Sequence, residues 1–191
     1  MNTQRFYELQ FWSRLTSAEG KNFLLRRKGD LERHLSHFDG KCDLKGKGIE
    51  FGTGCFSMLE FSEADQVIGI DPLANDFKNI FTIPNDKVTI LDGDGENVTF
   101  NDNTFDWAVC WNVLDHTPNP ERMVSEMFRV IKPKGKIYFN INFDDMLSPA
   151  HYSLWNEDVV DKCFVGKKQI YKKIIRNEPD QQYWFYAIYQ K

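Results

Sequence analysis

Two glycines, an aspartate and two histidines are the residues of this chain whose types and spacing could do chemistry. Gly48-Ile49-Glu50-Phe51-Gly52-Thr53-Gly54 reads as a short buried strand that breaks at a glycine pair. Without a Cβ, Gly52 and Gly54 allow a sharp turn and let backbone lie close to a ligand. A helix over 56–64 is expected next, its free N–H groups pointing into the same space. Asp71 closes the apolar run Val67–Ile70, nineteen residues beyond Gly52. That is close to the ~20-residue interval at which the second strand of a nucleotide-binding βαβ unit offers an acid to ribose hydroxyls. His116, behind the apolar run 105–111, and His151, in Ser148-Pro149-Ala150-His151-Tyr152, are the side chains able to exchange a proton near neutral pH.

These residues need a scaffold, and the pattern supplies one. Residues 1–40 read as helices with apolar stripes (Phe6, Leu9, Phe11, Trp12, Leu15, then Phe23, Leu24, Leu25, Leu31, Leu35, Phe38). Arg26-Arg27-Lys28 is either a solvated face or a site for an anionic substrate or a lid. Strands are expected at 49–51, 67–70, 88–91, 105–111 and 136–143, with helices at 73–81 and 120–131. Met123, Val124, Met127, Phe128 and Ile131 give the second helix its buried stripe, and Pro133-Lys134-Gly135 stops it. Strands separated by helices imply parallel pairing with right-handed crossovers, hence a doubly wound α/β sheet. A further helix at 154–164, capped by Ser153 or Asn156, precedes two alternating stretches at 168–176 and 182–189. A turn at Asn177-Glu178-Pro179-Asp180 makes those an antiparallel hairpin.

At 191 residues with 41% hydrophobic content, one domain with one sizeable core is the economical reading. The net charge of −4 gives no basic character, so nucleic acid is not expected as a main partner. No run approaches the ~20 apolar residues of a membrane span, and Met1-Asn2-Thr3-Gln4-Arg5 is too polar for a signal peptide. Cys42, Cys55, Cys110 and Cys163 lie far apart, so neither a disulfide framework nor a metal site is expected, and reduced thiols in a cytoplasm are the default.

In this order the motifs resemble the class I S-adenosylmethionine-dependent methyltransferases, most closely their methyltransferase-11-like small-molecule branch. The resemblance covers roughly residues 46–143. Glu50-Phe51-Gly52-Thr53-Gly54 resembles the acid-x-Gly-x-Gly loop, and Ile70-Asp71 the ribose-binding acid. Asp92-Gly93-Asp94-Gly95-Glu96 resembles the adenine loop. The stretches 105–116 and 126–135 resemble the family's post-loop block. The chain departs at Phe56, where a third glycine is common, and at Lys134, where a second glycine is often found.

The resemblance implies a mostly parallel seven-stranded sheet of order 3-2-1-4-5-7-6. It divides the single domain into N-terminal helices (1–40), a cofactor-binding core (46–143) and a substrate-side segment with a terminal hairpin (144–191). It implies S-adenosyl-L-methionine as cofactor and S-adenosyl-L-homocysteine as product. Asp71 would take the ribose hydroxyls, Leu73 would cover the adenine face, and Asp94 with the Gly95 N–H would read the adenine edge. Carbonyls near Gly52, Trp111 and Asn112 would receive the methionyl ammonium. Glu50 would brace the Gly52-Thr53-Gly54 loop or reach the ammonium through water, and Asp106 would be structural. His116 is the candidate base and His151 a second candidate. Asp115 adjoins His116, but neighbours on a helix diverge.

The acceptor would be a small molecule with an oxygen or nitrogen nucleophile, and the aromatic edge strands could pair two subunits. Two other readings use the same residues: a nicotinamide-dependent oxidoreductase, and a protein that binds S-adenosylmethionine without turnover.

Overall fold

The computed structural model describes residues 3–19, 22–80, 86–143, 147–176 and 182–191. The expected turn at 177–180 and the end of the helix at Phe81 lie outside them.

Helices α1 (Thr3–Glu19) and α2 (Phe23–Ser36) precede β1 (Lys47–Phe51) and β2 (Gln66–Asp71). Then come α3 (Ala74–Ile80), β3 (Val88–Asp92), β4 (Phe105–Trp111), α4 (Pro120–Val130) and β5 (Ile131–Phe143). Helix α5 (Glu157–Cys163) and strands β6 (Lys168–Arg176) and β7 (Tyr183–Gln190) complete the chain. The seven strands form one sheet in the order β3-β2-β1-β4-β5-β7-β6, as expected. The first five pair in parallel and the last two antiparallel. Phe51 is in register with Ile70 and with Cys110, and Asp71 with Asp92. The carboxyl ends of β1 to β4 therefore finish together, which is what gathers a site there.

Strand alternation sorts the core onto two faces. Ala108 and Cys110 of β4, Ile137, Phe139 and Ile141 of β5, and Phe185, Ala187 and Tyr189 of β7 pack with α4 and α5. Val109, Trp111, Tyr138, Tyr186 and Ile188 face the other way, onto Leu31, Phe38, Leu44, Met58 and Leu59. Asn156 caps α5, its Oδ1 accepting the Val159 N–H at 3.0 Å.

One expected element differs. The helix over 56–64 is a single 3-10 turn, Met58–Phe61. Its polar side chains are engaged with backbone, which competes with helix formation. Ser57 Oγ accepts from the Leu59 N–H at 3.1 Å, and Ser62 Oγ donates to the Leu59 carbonyl at 2.6 Å. Glu60 takes the N–H groups of Asp86, Lys87 and Val88. Helix α2 covers this face of the sheet, with Leu31 in the same cluster as Met58 and Leu59. Strand β5 also starts earlier than expected, at Ile131. It passes through Lys134 with φ +67°, a left-handed backbone at the position where the resembling family often has glycine.

Candidate functional site

The glycine turn is held by the acid it was expected to cooperate with. Asp71 Oδ2 accepts the Gly54 N–H at 2.8 Å, and Oδ1 accepts the Leu73 N–H at 2.9 Å. The Gly52 N–H donates to the Ile70 carbonyl at 2.8 Å, tying the turn to β2 a second time. Gly52 and Gly54 both have positive φ (+73° and +63°). A Cβ on Gly52 would fall 2.5 Å from Val113, and one on Gly54 would fall 2.2 Å from the Trp12 indole. With no α-helix after the turn, the expected helix N-terminus is absent from the site, and the Gly54 N–H is already given to Asp71.

Burial dominates the acids beneath the turn. Glu50 is buried and accepts a hydrogen bond from the Ser57 hydroxyl. Burial pushes its pKa up to about 7, against the pull of Ser57 and the nearby Arg27 guanidinium. Burial also raises Asp71 to about 6, partly offset by the two N–H groups it accepts. Cys55, beside the turn, is pushed up to about 12 by burial and is a packed thiol.

The adenine-loop candidates occupy the end of β3. Asp94 Oδ1 accepts the Glu96 N–H at 2.8 Å, so one carboxylate oxygen holds the loop. Gly95 is packed so closely that a Cβ would sit 2.5 Å from Met123. Glu96 fastens this loop to the segment after β4 by accepting from the Thr117 hydroxyl and from the Asn119 N–H and Nδ2. Asp106 behaves as a scaffold residue, accepting from the Lys47 N–H at 2.8 Å and from Lys132 Nζ at 2.6 Å.

A cavity of about 1140 Å³ opens at the carboxyl edge of the sheet. Glu50, Gly52, Thr53, Gly54, Asp71 and Leu73 line one part of it. Asp94 and Gly95 line another, and Trp111, Asn112, His116 and His151 the remainder. Every residue singled out for the cofactor, and both candidate histidines, thus border the same space. The aromatic side chains Tyr152 and Trp184 also line the cavity, whereas Trp155 and Phe185 are core. The volume, the tight glycine cradle and two buried wall atoms without a hydrogen-bond partner among the described residues, Trp111 Nε1 and Asn140 Oδ1, fit a large polar ligand.

Sequence reasoning missed what closes this space. Helix α1 lies across the mouth, with Trp12 over Gly54 and the Gln4 amide donating to the His116 carbonyl at 2.6 Å. Arg5 pairs with Asp76 of α3, and Glu8 Oε1 lies 2.8 Å from His116 Nδ1. An aromatic stripe on α1 was the available signal, but a stripe does not say which surface it covers. His34 of α2 also lines the cavity. It stacks on Trp111 with ring centroids 5.3 Å apart and meets Tyr186 Oη at 3.0 Å. Burial lowers His34 to about 3, so it is a neutral ring.

Asp115 corrects an expectation. Leu114–His116 is a 3-10 turn, and Asp115 Oδ2 comes within 3.7 Å of His116 Nε2 instead of diverging from it. The same oxygen lies 3.5 Å from His151 Nε2. Burial alone would depress the His116 imidazole, but the Glu8 contact and the Asp115 charge outweigh it, and its pKa is raised.

Residues 49–139 match the family model described as a methyltransferase domain. An uncharacterized protein of Methanocaldococcus jannaschii is 34% identical over 112 residues, 58% of this chain and 48% of that protein. The ubiquinone biosynthesis O-methyltransferase of Coxiella burnetii is 29% identical over 112 residues, 56% and 48% of the two chains. The chain therefore spans about half the length of the curated relatives it matches. Among solved structures, a SAM-dependent methyltransferase from Aquifex aeolicus superposes with a TM-score of 0.62 at 18% identity, covering 92% of this chain and 97% of that one. The segment 49–139 is thus similar to a methyltransferase domain, and the chain shares the fold of that solved structure.

Proposed function

We propose that this protein transfers a methyl group from S-adenosylmethionine to an oxygen or nitrogen of a small-molecule acceptor. The observation that carries this reading is the shared cavity. The glycine turn, both candidate adenosine acids and both candidate histidines border one space at the sheet's carboxyl edge.

The cofactor supplies a methyl group on a positively charged sulfur, open to in-line attack. Asp71 keeps lone pairs for two ribose hydroxyls while its backbone hydrogen bonds fix its orientation. Leu73 presents an apolar side chain beside it, and Asp94 and the Gly95 N–H offer an acceptor and a donor for the adenine edge. Glu50 and the carbonyls at Gly52, Trp111 and Asn112 provide negative potential for the methionyl ammonium. Trp12 of helix α1 covers Gly54, and shielding on that side would favour alignment in a dry site. His116 and His151 stand where the acceptor would enter, between α1 and the segment 147–152. The relatives named as quinone methyltransferases make a phenolic hydroxyl the first acceptor class to try. The nicotinamide reading is disfavoured at Ser57, which stands at the sixth position of the dinucleotide-binding pattern Gly-x-Gly-x-x-Gly and spends its hydroxyl on Glu50.

The test is transfer of labelled methyl from S-adenosylmethionine to a panel of phenols, hydroquinones and amines. Label on an acceptor, lost in Asp71→Ala, supports the reading. Binding of the cofactor with no transfer across the panel favours a protein without turnover, and binding of reduced nicotinamide cofactor in its place overturns the proposal.

A further inference from the structure

Asp115, His116 and His151 converge from two separate parts of the chain. Asp115 and His116 belong to the 3-10 turn after β4, and His151 to the stretch beyond β5. The two stretches are pinned together by the Tyr152 N–H, which donates to the Asp115 carbonyl at 2.7 Å. A second bond, from the His151 N–H to the Ser148 carbonyl at 3.0 Å, shapes the His151 loop. The three side chains present one carboxylate oxygen of Asp115 and one ring nitrogen from each histidine within 4.8 Å of one another. Asp115 Oδ2 stands 3.7 Å from His116 Nε2 and 3.5 Å from His151 Nε2. Ligands each about 2.1 Å from a tetrahedral metal ion are separated by about 3.4 Å, so these gaps suit a common ion.

The surroundings agree with that use. Glu8 Oε1 lies 2.8 Å from His116 Nδ1, near enough to orient the ring from outside the cluster. The carboxylate is 3% exposed and the histidines 22% and 15%, so the cluster is sheltered yet opens on the cavity through both rings. Two imidazoles and one carboxylate form a donor set for a divalent first-row transition ion, with coordination positions left for an exogenous oxygen.

We propose that Asp115, His116 and His151 bind a divalent transition-metal ion, zinc foremost, at the acceptor end of the cavity, with Glu8 as the outer partner that orients His116. Resting on the methyltransferase reading, the site gives the acceptor class a sharper definition: a hydroxyl or enol oxygen that coordinates the ion and is delivered to the methyl as a metal-bound oxyanion. The proton leaves to solvent, the oxygen–methyl bond forms as the sulfur–methyl bond breaks, and the electron pair of the broken bond stays on sulfur.

The experiment is titration of the intact, chelator-treated protein with Co²⁺, read by visible d–d absorption, and with Zn²⁺ in competition, with bound metal quantified after dialysis. One ion per chain is expected, with absorption of a low-coordinate site. His151→Ala and Asp115→Asn should abolish it, Glu8→Ala should weaken it about 10- to 100-fold, and His37→Ala, outside the cluster, should leave it unchanged. Circular dichroism and S-adenosylhomocysteine binding on the same variants separate loss of the site from loss of the fold. Stoichiometry far below one, or affinity unaltered in His151→Ala, overturns the metal proposal. If S-adenosylhomocysteine still binds in that case, the cluster is a protonated His116 held by Glu8 and Asp115, and the methyltransferase reading stands without the ion.

Discussion

The Gly54 N–H donates to Asp71 Oδ2 at 2.8 Å, so the glycine turn and the acid proposed to bind adenosine hold each other in place. Glycine turn and acid form one unit, and changing the acid disturbs both. Asp71→Ala should therefore weaken S-adenosylhomocysteine binding by more than a single ribose contact. Hydrogen bonds to a charged group are worth about 1.5–3 kcal/mol, so a loss of at least tenfold is expected. Quenching of the cavity tryptophans Trp12 and Trp111 by ligand provides the readout.

Gly54→Ala should be costly for two separable reasons. A side chain at φ +63° costs about 1–2 kcal/mol in the left-handed region, and its Cβ would overlap Trp12. The α1 lid should lift, seen as faster proteolysis within 3–19 and weaker ligand binding. Adding Trp12→Ala should relieve the overlap but leave the backbone strain, so the double variant recovers stability only in part.

The buried acids make stability fall as pH rises. The folded-state pKa of Glu50, about 7, is above its ordinary value of 4.5. Its favourable contribution is complete below about 4.5 and is lost as pH rises through about 7. Glu50→Gln should flatten that part of the pH–stability curve of the ligand-free protein, by on the order of 3 kcal/mol at the upper limit. A positively charged ligand beside Glu50 favours the carboxylate, so S-adenosylmethionine binding near pH 6 should release protons. Calorimetry in buffers of different ionisation enthalpy measures that release.

Lys134 offers a check remote from the cavity. Its φ of +67° carries the left-handed penalty of about 1–2 kcal/mol, while glycine forfeits roughly 0.5–1 kcal/mol of chain entropy. Lys134→Gly should raise the unfolding free energy by a fraction of a kcal/mol to about 1 kcal/mol, seen as a higher urea midpoint with an unchanged m-value.

The sheet, and the meeting of the glycine turn with Asp71, were legible in the sequence because their signals are local. The apolar run 105–111 marks a buried strand and the alternation at 182–189 a terminal one, and the Gly52–Asp71 interval is set by one strand-to-strand crossover. The 3-10 turn at Met58–Phe61 was not legible, because Phe56, Met58 and Leu59 are apolar in either conformation and the deciding bonds come from Ser57, Glu60 and Ser62 side chains. Nor was the approach of Asp115 to His116, which a regular helix would have prevented. Trp12 over Gly54 and His151 beside Asp115 join residues far apart in the chain, and nothing in either local pattern names its partner.

The sharpest test of a shared adenosyl site is calorimetric titration of the intact protein with S-adenosylhomocysteine, followed by the same titration of Asp71→Ala. One-to-one binding at micromolar affinity, collapsing in the variant, is the predicted result. Absence of binding heat across the micromolar range, confirmed by unchanged tryptophan fluorescence, or equal affinity in both proteins, would contradict it.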